Sequence, residues 1–274
     1  MERTTLLREA NRRFPRDYKI MERLADAIVC EYSRKGIKEY DEVFELCNRI
    51  LAECTDSNIR YEAIETLGIA YDYAGKKDEM LKIAKEMPRV RFSYENFMVY
   101  RWKGTVGFKE RQEYMHFLIH ELLSMIHCLK GHCDDNGKII YSWEERKELN
   151  QFEIDLLECL YPDGDYQQNA YYGATASYFI FKDFFKKQDY ENAWYWLERC
   201  VNYNVHADTY DFNAPHSTPI LRGFADGGVI MEAEGNYSQS FLDWITTDDE
   251  VAVLRSDARY ETLVDRLKKA AKKP

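Results

Sequence analysis

The stretch Ile64–Ala84, IETLGIAYDYAGKKDEMLKIA, decides the fold of this chain. Ile64, Leu67, Gly68 and Tyr71 recur at helical spacing and share one face of a helix. Gly75 follows where a helix end favours a residue that accepts a left-handed backbone. Lys76–Asp78 is a short polar turn. Met80, Ile83, Ala84 and Met87 then resume the helical period until Pro88 stops it. Two helices joined by so short a turn lie antiparallel. The small Gly68 predicts a close approach by the facing helix.

Working outward, the same pattern returns. Glu2–Phe14 reads as a helix that ends at Phe14-Pro15. Asp17 caps the next helix, which turns Ile20, Leu24, Ala27, Ile28 and Tyr32 inward until Gly36 breaks it. Tyr40–Leu51 is its partner, with Val43, Leu46, Cys47 and Ile50 on one face, and Thr55-Asp56-Ser57 starts the following helix. Leu24-Ala25-x2-Ile28 matches Leu67-Gly68-x2-Tyr71, so the hairpin repeats at an offset of 43 residues. The segment Trp102–Gly107 reads as a break. Glu110–Lys130 is a long helix whose apolar stripe is Met115, Leu118, Ile119, Leu122, Ile126 and Leu129. Ser142 and Glu145 form a capping box for a helix reaching Leu160, with Leu149, Phe152, Leu156 and Leu160 as its buried line. Further helices are expected over 165–186 and 191–204, the second with Ala193, Leu197 and Cys200 inside. The segment 205–228 reads as loop-rich, and 229–245 pairs with a last helix near 260–271. No alternation of strand type is sustained.

The chain has 274 residues, 45% hydrophobic and 31% charged, with only 6 Pro. That composition is globular and permits long helices. A net charge of −10 argues against nucleic-acid binding by the overall field. The charge is uneven: Met1–Arg23 carries +3 and Val264–Pro274 +4, leaving about −17 between them. The basic ends read as solvated helix faces, with a contact to DNA or to a DNA-binding module as the sharper alternative. The 7 Cys are scattered and contain no CxxC pair, which predicts reduced, mostly buried thiols and a cytoplasmic protein. The charged N-terminus has no signal-peptide core, and no apolar run approaches a membrane span.

Three places in the sequence carry residues capable of metal chemistry. His116 and His120 are four apart and could share a metal, whereas His127 lies about 10 Å further along the axis at ~1.5 Å per residue. His127, Cys128, His132 and Cys133 match no zinc module. The loop after His132 has Asn136-Gly137 turn chemistry and lacks the acidic first and twelfth ligands of a calcium loop. No GxSxG, phosphate loop or supported carboxylate pair is present, so no metal, no cofactor and no catalytic residue is expected, and the protein is not read as an enzyme. The candidate site is instead a concave groove for a peptide, small ligand or protein, lined from Tyr171, Tyr178, Tyr195, Asn202, Tyr203, His206 and Arg222.

The spacing around Leu67, Gly68 and Tyr71, the turn glycine Gly75 and the restart Asp189-Tyr190-x2-Ala193 resemble tetratricopeptide repeats. Phe181 stands where that repeat has a small residue, which predicts a wider spacing of the helices around it. A second resemblance runs through most of the chain. Its residues are Phe14-Pro15, Asp41-Glu42, Leu46-Cys47-x-Arg49-Ile50-Leu51, Thr55-Asp56 to Ala63 and Ala84 to Pro88. Further on they are Asp163-Gly164-Asp165-Tyr166, His216-Ser217-Thr218 and Leu254-Arg255-x-Asp257-x-Arg259-Tyr260. Together these resemble the C-terminal helical-repeat half of XRE-type helix-turn-helix transcriptional regulators. The resemblance implies an all-α right-handed superhelix of antiparallel hairpins, a TPR-like α-α solenoid. It further implies a sensor and dimerisation domain without enzymatic activity, forming a homodimer and reaching DNA only through a module missing here. The organisation expected is one repeat domain over 1–274, with 1–108 and 109–274 as the alternative division. The competing reading is a standalone protein-interaction scaffold with no transcriptional role, and a hydrolase or metal protein built on the histidine stripe is the third.

Overall fold

The structure, a computed structural model, describes residues 3–88, 93–101, 103–225 and 236–271, apart from the side chains of Phe97 and Met98. The protein is all-α. Among the described residues the only β-type pairing is an isolated antiparallel bridge between Cys133 and Ile139. Contacts divide the chain into two compact units, Met1–Phe97 and Met98–Pro274, with the division inside α6 (Tyr94–Arg101).

The first unit contains α1 (Arg3–Arg13), α2 (Tyr18–Lys35), α3 (Asp41–Glu53), α4 (Ser57–Tyr73) and α5 (Lys77–Ala84). The capping signals act as expected. Asp17 Oδ1 accepts from the Lys19 and Ile20 amides at 3.1 Å each, and Asp56 Oδ1 accepts from the Asn58 amide at 2.9 Å. Gly36 and Gly75 end α2 and precede α5 at φ +67° and +74°. Gly75 thereby lets the Lys76 amide reach back to the Tyr71 carbonyl at 2.8 Å. The core is formed by Met21, Leu24, Ile28, Val43, Cys47, Ile50 and Leu67. Each such burial is worth roughly 1.5–3 kcal/mol for the larger aliphatic side chains. Helix α2 packs on α3 and α4, and α4 packs on α3 and α5.

Two expectations about the Ile64–Ala84 hairpin change. α5 ends at Ala84, before Met87, and none of its residues is fully buried. A Cβ at Gly68 would lie 3.8 Å from the Ile83 side chain, an ordinary contact, so Gly68 marks no close approach.

The second unit contains α7 (Gly104–Lys130), α8 (Trp143–Leu160), α9 (Ala170–Lys186), α10 (Tyr190–Thr209), α11 (Tyr237–Thr247) and α12 (Ala258–Ala270), with 3-10 turns at Gln167–Asn169 and Asp249–Ser256. α9 packs on α8 and α10, and α10 on α11 and α12. Ala193, Leu197 and Cys200 are buried, as their spacing predicts. The capping box also forms. Ser142 Oγ accepts from the Glu145 amide at 3.2 Å, and Glu145 Oε2 accepts from the Ser142 amide at 2.7 Å.

Several expectations fail here for identifiable reasons. The expected break over 102–107 is already helical from Gly104, while Trp102 lies outside the described residues. In α7 only Ile119 and Ile126 of the expected stripe are buried, and Met115, Leu118, Leu122 and Leu129 are exposed. The inward face is shifted, and Gln112, His116, Leu123 and Lys130 are buried on it. α8 shows the same shift. Phe152 is exposed and Leu149, Leu156 and Leu160 are half-buried, whereas Asn150, Glu153, Ile154 and Leu157 face in. A hydrophobic pattern cannot detect a face that carries paired polar groups. α9 starts at Ala170 rather than 165, after a 3-10 turn in which Gln167 has φ +44°. α10 runs on to Thr209, and of 229–245 only 236 onward is described.

At the N-terminal end of α9, eight residues before Phe181, α9 and α10 are close. A Cβ at Gly173 would lie 2.7 Å from the Tyr203 ring, so the helices meet closely there. The thiols also divide differently. Cys47, Cys54 and Cys200 are buried, and Cys30, Cys128, Cys133 and Cys159 are exposed. Among the described residues no helix is long and apolar enough to cross a membrane.

Candidate functional site

The site is built in the second unit where α7 ends and α8 begins. The turn between them is fixed by backbone chemistry. Asp134 Oδ1 accepts from the Asn136 and Lys138 amides at 2.9 Å each, and Gly137 takes φ +77°. The Ile140 amide donates to the His132 carbonyl at 2.9 Å. This closed turn brings Gly131 and Ile139 over the first two turns of α8. Together with Phe179 of α9 they enclose a cavity of about 240 Å³, lined by His127, Lys130, Trp143, Arg146, Lys147 and Asn150 as well.

Its charged walls are held by partners, with one exception. Lys130 Nζ donates to Asn150 Oδ1 at 2.8 Å and to Glu153 Oε2 at 2.5 Å, and Glu153 is fully buried. Burial pushes the Lys130 ammonium down and the Glu153 carboxyl up, and their attraction opposes both shifts. Lys147 Nζ and the Trp143 indole N–H each donate to Asp183 at 2.8 Å, and Lys187 Nζ does so at 2.9 Å. Burial raises Asp183, but these three donors outweigh it and hold the carboxyl at about 2. The Arg146 guanidinium lies 5.1 Å from the centre of the Trp143 ring and makes no hydrogen bond or ion pair among the described residues. Its Nε is buried without an acceptor. His127 Nδ1 is likewise buried and unpartnered, and burial followed by the Lys130 charge lowers its pKa, which keeps the imidazole neutral at neutral pH.

The seven residues read from the sequence as a groove lie elsewhere, and none lines this cavity. Tyr195, exposed, and Tyr203, buried, are joined by Arg199, which donates to their hydroxyls at 3.1 and 3.2 Å. His206 adjoins them through Tyr166, whose ring centre lies 5.7 Å from His206 and 5.1 Å from Tyr203. His206 Nε2 accepts from the Gln167 amide at 3.0 Å. Tyr171 packs on Tyr237 at 5.3 Å and Tyr178 on Trp244 at 5.1 Å, both against α11. Asn202 Oδ1 accepts from Arg266, and the Arg222 carbonyl accepts from Gln112 at 3.0 Å. Arg199 carries a sequence signal of its own: Tyr195, Arg199 and Tyr203 follow at steps of four on one helix face. Arg146 had a weaker one, three residues after Trp143.

The histidine stripe packs against aromatic and amide groups. His116 is buried, 5.5 Å from the His216 ring and 5.3 Å from Phe224, and burial depresses its pKa to about 4. His120 Nδ1 lies 3.4 Å from Asn169 Oδ1, and His127 packs on Tyr171 and Tyr172 at about 6 Å. His216 Nδ1 lies 3.1 Å from Asp165 Oδ2, but the Ser217 hydroxyl donates to that same carboxylate rather than to the imidazole. The trio therefore fastens the loop at 216–218 to the connection between α8 and α9 and does not have a nucleophile–base–carboxylate order. Among the described residues no three His, Cys, Asp or Glu side chains are grouped to hold a metal ion. In comparisons with known proteins, no family model, curated protein or solved structure matches the chain.

Proposed function

We propose that the protein is a non-enzymatic ligand-binding regulatory domain, the sensor and dimerisation part of a transcriptional regulator that contacts DNA through a separate module. The observation that carries this reading is the 240 Å³ cavity, bounded by a closed turn and two helix ends and lined by a guanidinium, that of Arg146, with no hydrogen bond or ion pair among the described residues. Cavities of this kind, mostly apolar with a few convergent polar groups, are the usual form of a small-molecule site. The packing of α2 on α3 and α4, and of α4 on α3 and α5, supports a superhelix of hairpins of tetratricopeptide type. A ligand held between α7, α8 and α9 favours the arrangement of these helices that encloses it and so shifts the population of states. Chromatin immunoprecipitation of the native protein tests the reading. Promoter DNA should be enriched and the enrichment should change in Phe179→Trp, which fills the cavity. Absence of any DNA enrichment rejects the regulator part.

One observation bears on the dimerisation part of this reading, and equally on a protein-interaction scaffold as the second reading. Phe108, Met115, Leu122 and Leu129 recur every seven residues along α7, Leu118 and Met125 fall between them, and all six are exposed. That spacing is the seam of a helix that pairs with another helix, and a seam on a single chain type is met most simply by a second copy. Sedimentation velocity should show a dimer that Leu122→Glu dissociates. A monomeric wild type removes this support.

A further inference from the structure

We propose that the cavity between α7, α8 and α9 takes a small organic carboxylate carrying one aromatic ring. The assignment rests on the ligand-binding reading above and names the chemistry of that ligand. Three features of the wall carry it.

The first is charge. Three cationic side chains line the cavity and no carboxylate does. Lys130 is paired with Glu153, and Lys147 shares Asp183 with Lys187, which leaves Arg146 as the cation of the lining that has no ion pair among the described residues. Its guanidinium can pair with one anionic head group.

The second is hydrogen bonding. A buried donor without an acceptor is costly, and Arg146 Nε is such a donor. His127 Nδ1 is a second orphan on the same wall, and in its Nδ1–H form the neutral imidazole also donates. A carboxylate has two oxygens and so supplies an acceptor to each. Charge-assisted bonds of this type are the stronger ones, and arginine suits a carboxylate in particular.

The third is size and surface. Ile139, Trp143 and Phe179 give the cavity its apolar walls. A cavity of ~150 Å³ lined by aliphatic and aromatic groups holds benzene. The 240 Å³ found here therefore holds one ring with a short acidic arm.

The test is isothermal titration calorimetry of the full chain with three probes: phenylacetate, phenylacetamide and toluene. Phenylacetate should bind at least tenfold more tightly than phenylacetamide. Arg146→Gln should bring that ratio near one while the amide affinity stays within twofold, and Arg146→Lys should retain part of the preference. Phe179→Trp should weaken all three, and the melting temperature of each variant shows whether it is folded. Equal affinity for acid and amide, or a preference that survives Arg146→Gln, overturns the carboxylate assignment and leaves the cavity as a ligand site. Binding of none of the three to the wild type overturns both.

Discussion

Two helical glycines should respond to the same substitution with opposite signs. In a helix interior, Gly→Ala gains roughly 0.5–1 kcal/mol because alanine loses less backbone freedom on folding. At Gly68 nothing opposes that gain, since the new Cβ would sit 3.8 Å from Ile83, at ordinary contact distance. At Gly173 the Cβ would lie 2.7–2.8 Å from three atoms of the Tyr203 ring. Carbon atoms prefer a separation of about 3.5–4.0 Å, so the ring must move by about 1 Å. Tyr203 has little room to do so. It is 5% exposed, lies 5.1 Å from the Tyr166 ring, and its hydroxyl accepts from Arg199 at 3.2 Å. Overpacking of this kind costs about 1–3 kcal/mol. After the helix gain is subtracted, Gly173→Ala should destabilise by about 0.5–2 kcal/mol, whereas Gly68→Ala should stabilise by about 0.5–1 kcal/mol. The assay is urea unfolding at pH 7, followed separately for each unit by hydrogen exchange at α4 and α9. Combining Gly173→Ala with Tyr203→Leu should recover part of the loss, because the two positions touch. A Gly173→Ala protein as stable as wild type would refute the close packing of α9 on α10.

Three further outcomes follow from the buried polar groups and the caps. His116 has its pKa lowered from 6.5 to about 4 by burial first and then by His216 and His120. The unfolded state therefore takes up a proton before the folded one, and stability is lost as pH falls from 6.5 to about 4, by about 3 kcal/mol at most. Glu153 and Glu22, raised by burial, act with the opposite sign, so the measurement is the difference between wild type and His116→Gln in melts from pH 7 to 4. A difference that stays flat over that range removes the claim. Glu153→Gln should cost about 3–5 kcal/mol by leaving Lys130 buried without its counter-charge, whereas the double change Lys130→Met with Glu153→Leu should be close to neutral. Equal losses in the two proteins, measured by denaturant unfolding, would contradict the pairing. Ser142→Ala should cost about 1 kcal/mol by removing the capping box at the start of α8. It should speed amide exchange in residues 142–146, and an unchanged exchange rate there would count against the cap.

The parts of the fold legible in the sequence were those written in local chemistry. Asp17, Asp56 and Ser142 cap helices where their side chains compete for backbone amides, and Gly36 and Gly75 sit at positive φ where chain reversal demands it. The face of a long helix was less legible. In α7 and α8 the apolar residues outnumber the places available inside, and the inward faces carry Lys130, Asn150 and Glu153, which read as surface until their partners are known. The same limit hid the site. Arg146 has nothing in its neighbours to mark it as unpaired, because Lys147 and Lys130 look identical in sequence and are paired with residues 36 and 23 positions away. The tyrosines of the last third were visible as a set, but aromatic content alone does not separate a groove from packing. Tyr171 and Tyr178 turn toward α11, and Tyr203 fills the space above Gly173.

The measurement that tests the account most directly is hydrogen–deuterium exchange of the full chain with and without the small-molecule fraction of its native cells. A ligand site in the α7–α8–α9 cavity should give protection confined to residues 127–150 and to the turn of α9 around Phe179, and Phe179→Trp should abolish it. Protection centred instead on Tyr195–His206, or no protection anywhere in Met98–Pro274, would contradict the claim that this cavity is where the protein senses its ligand.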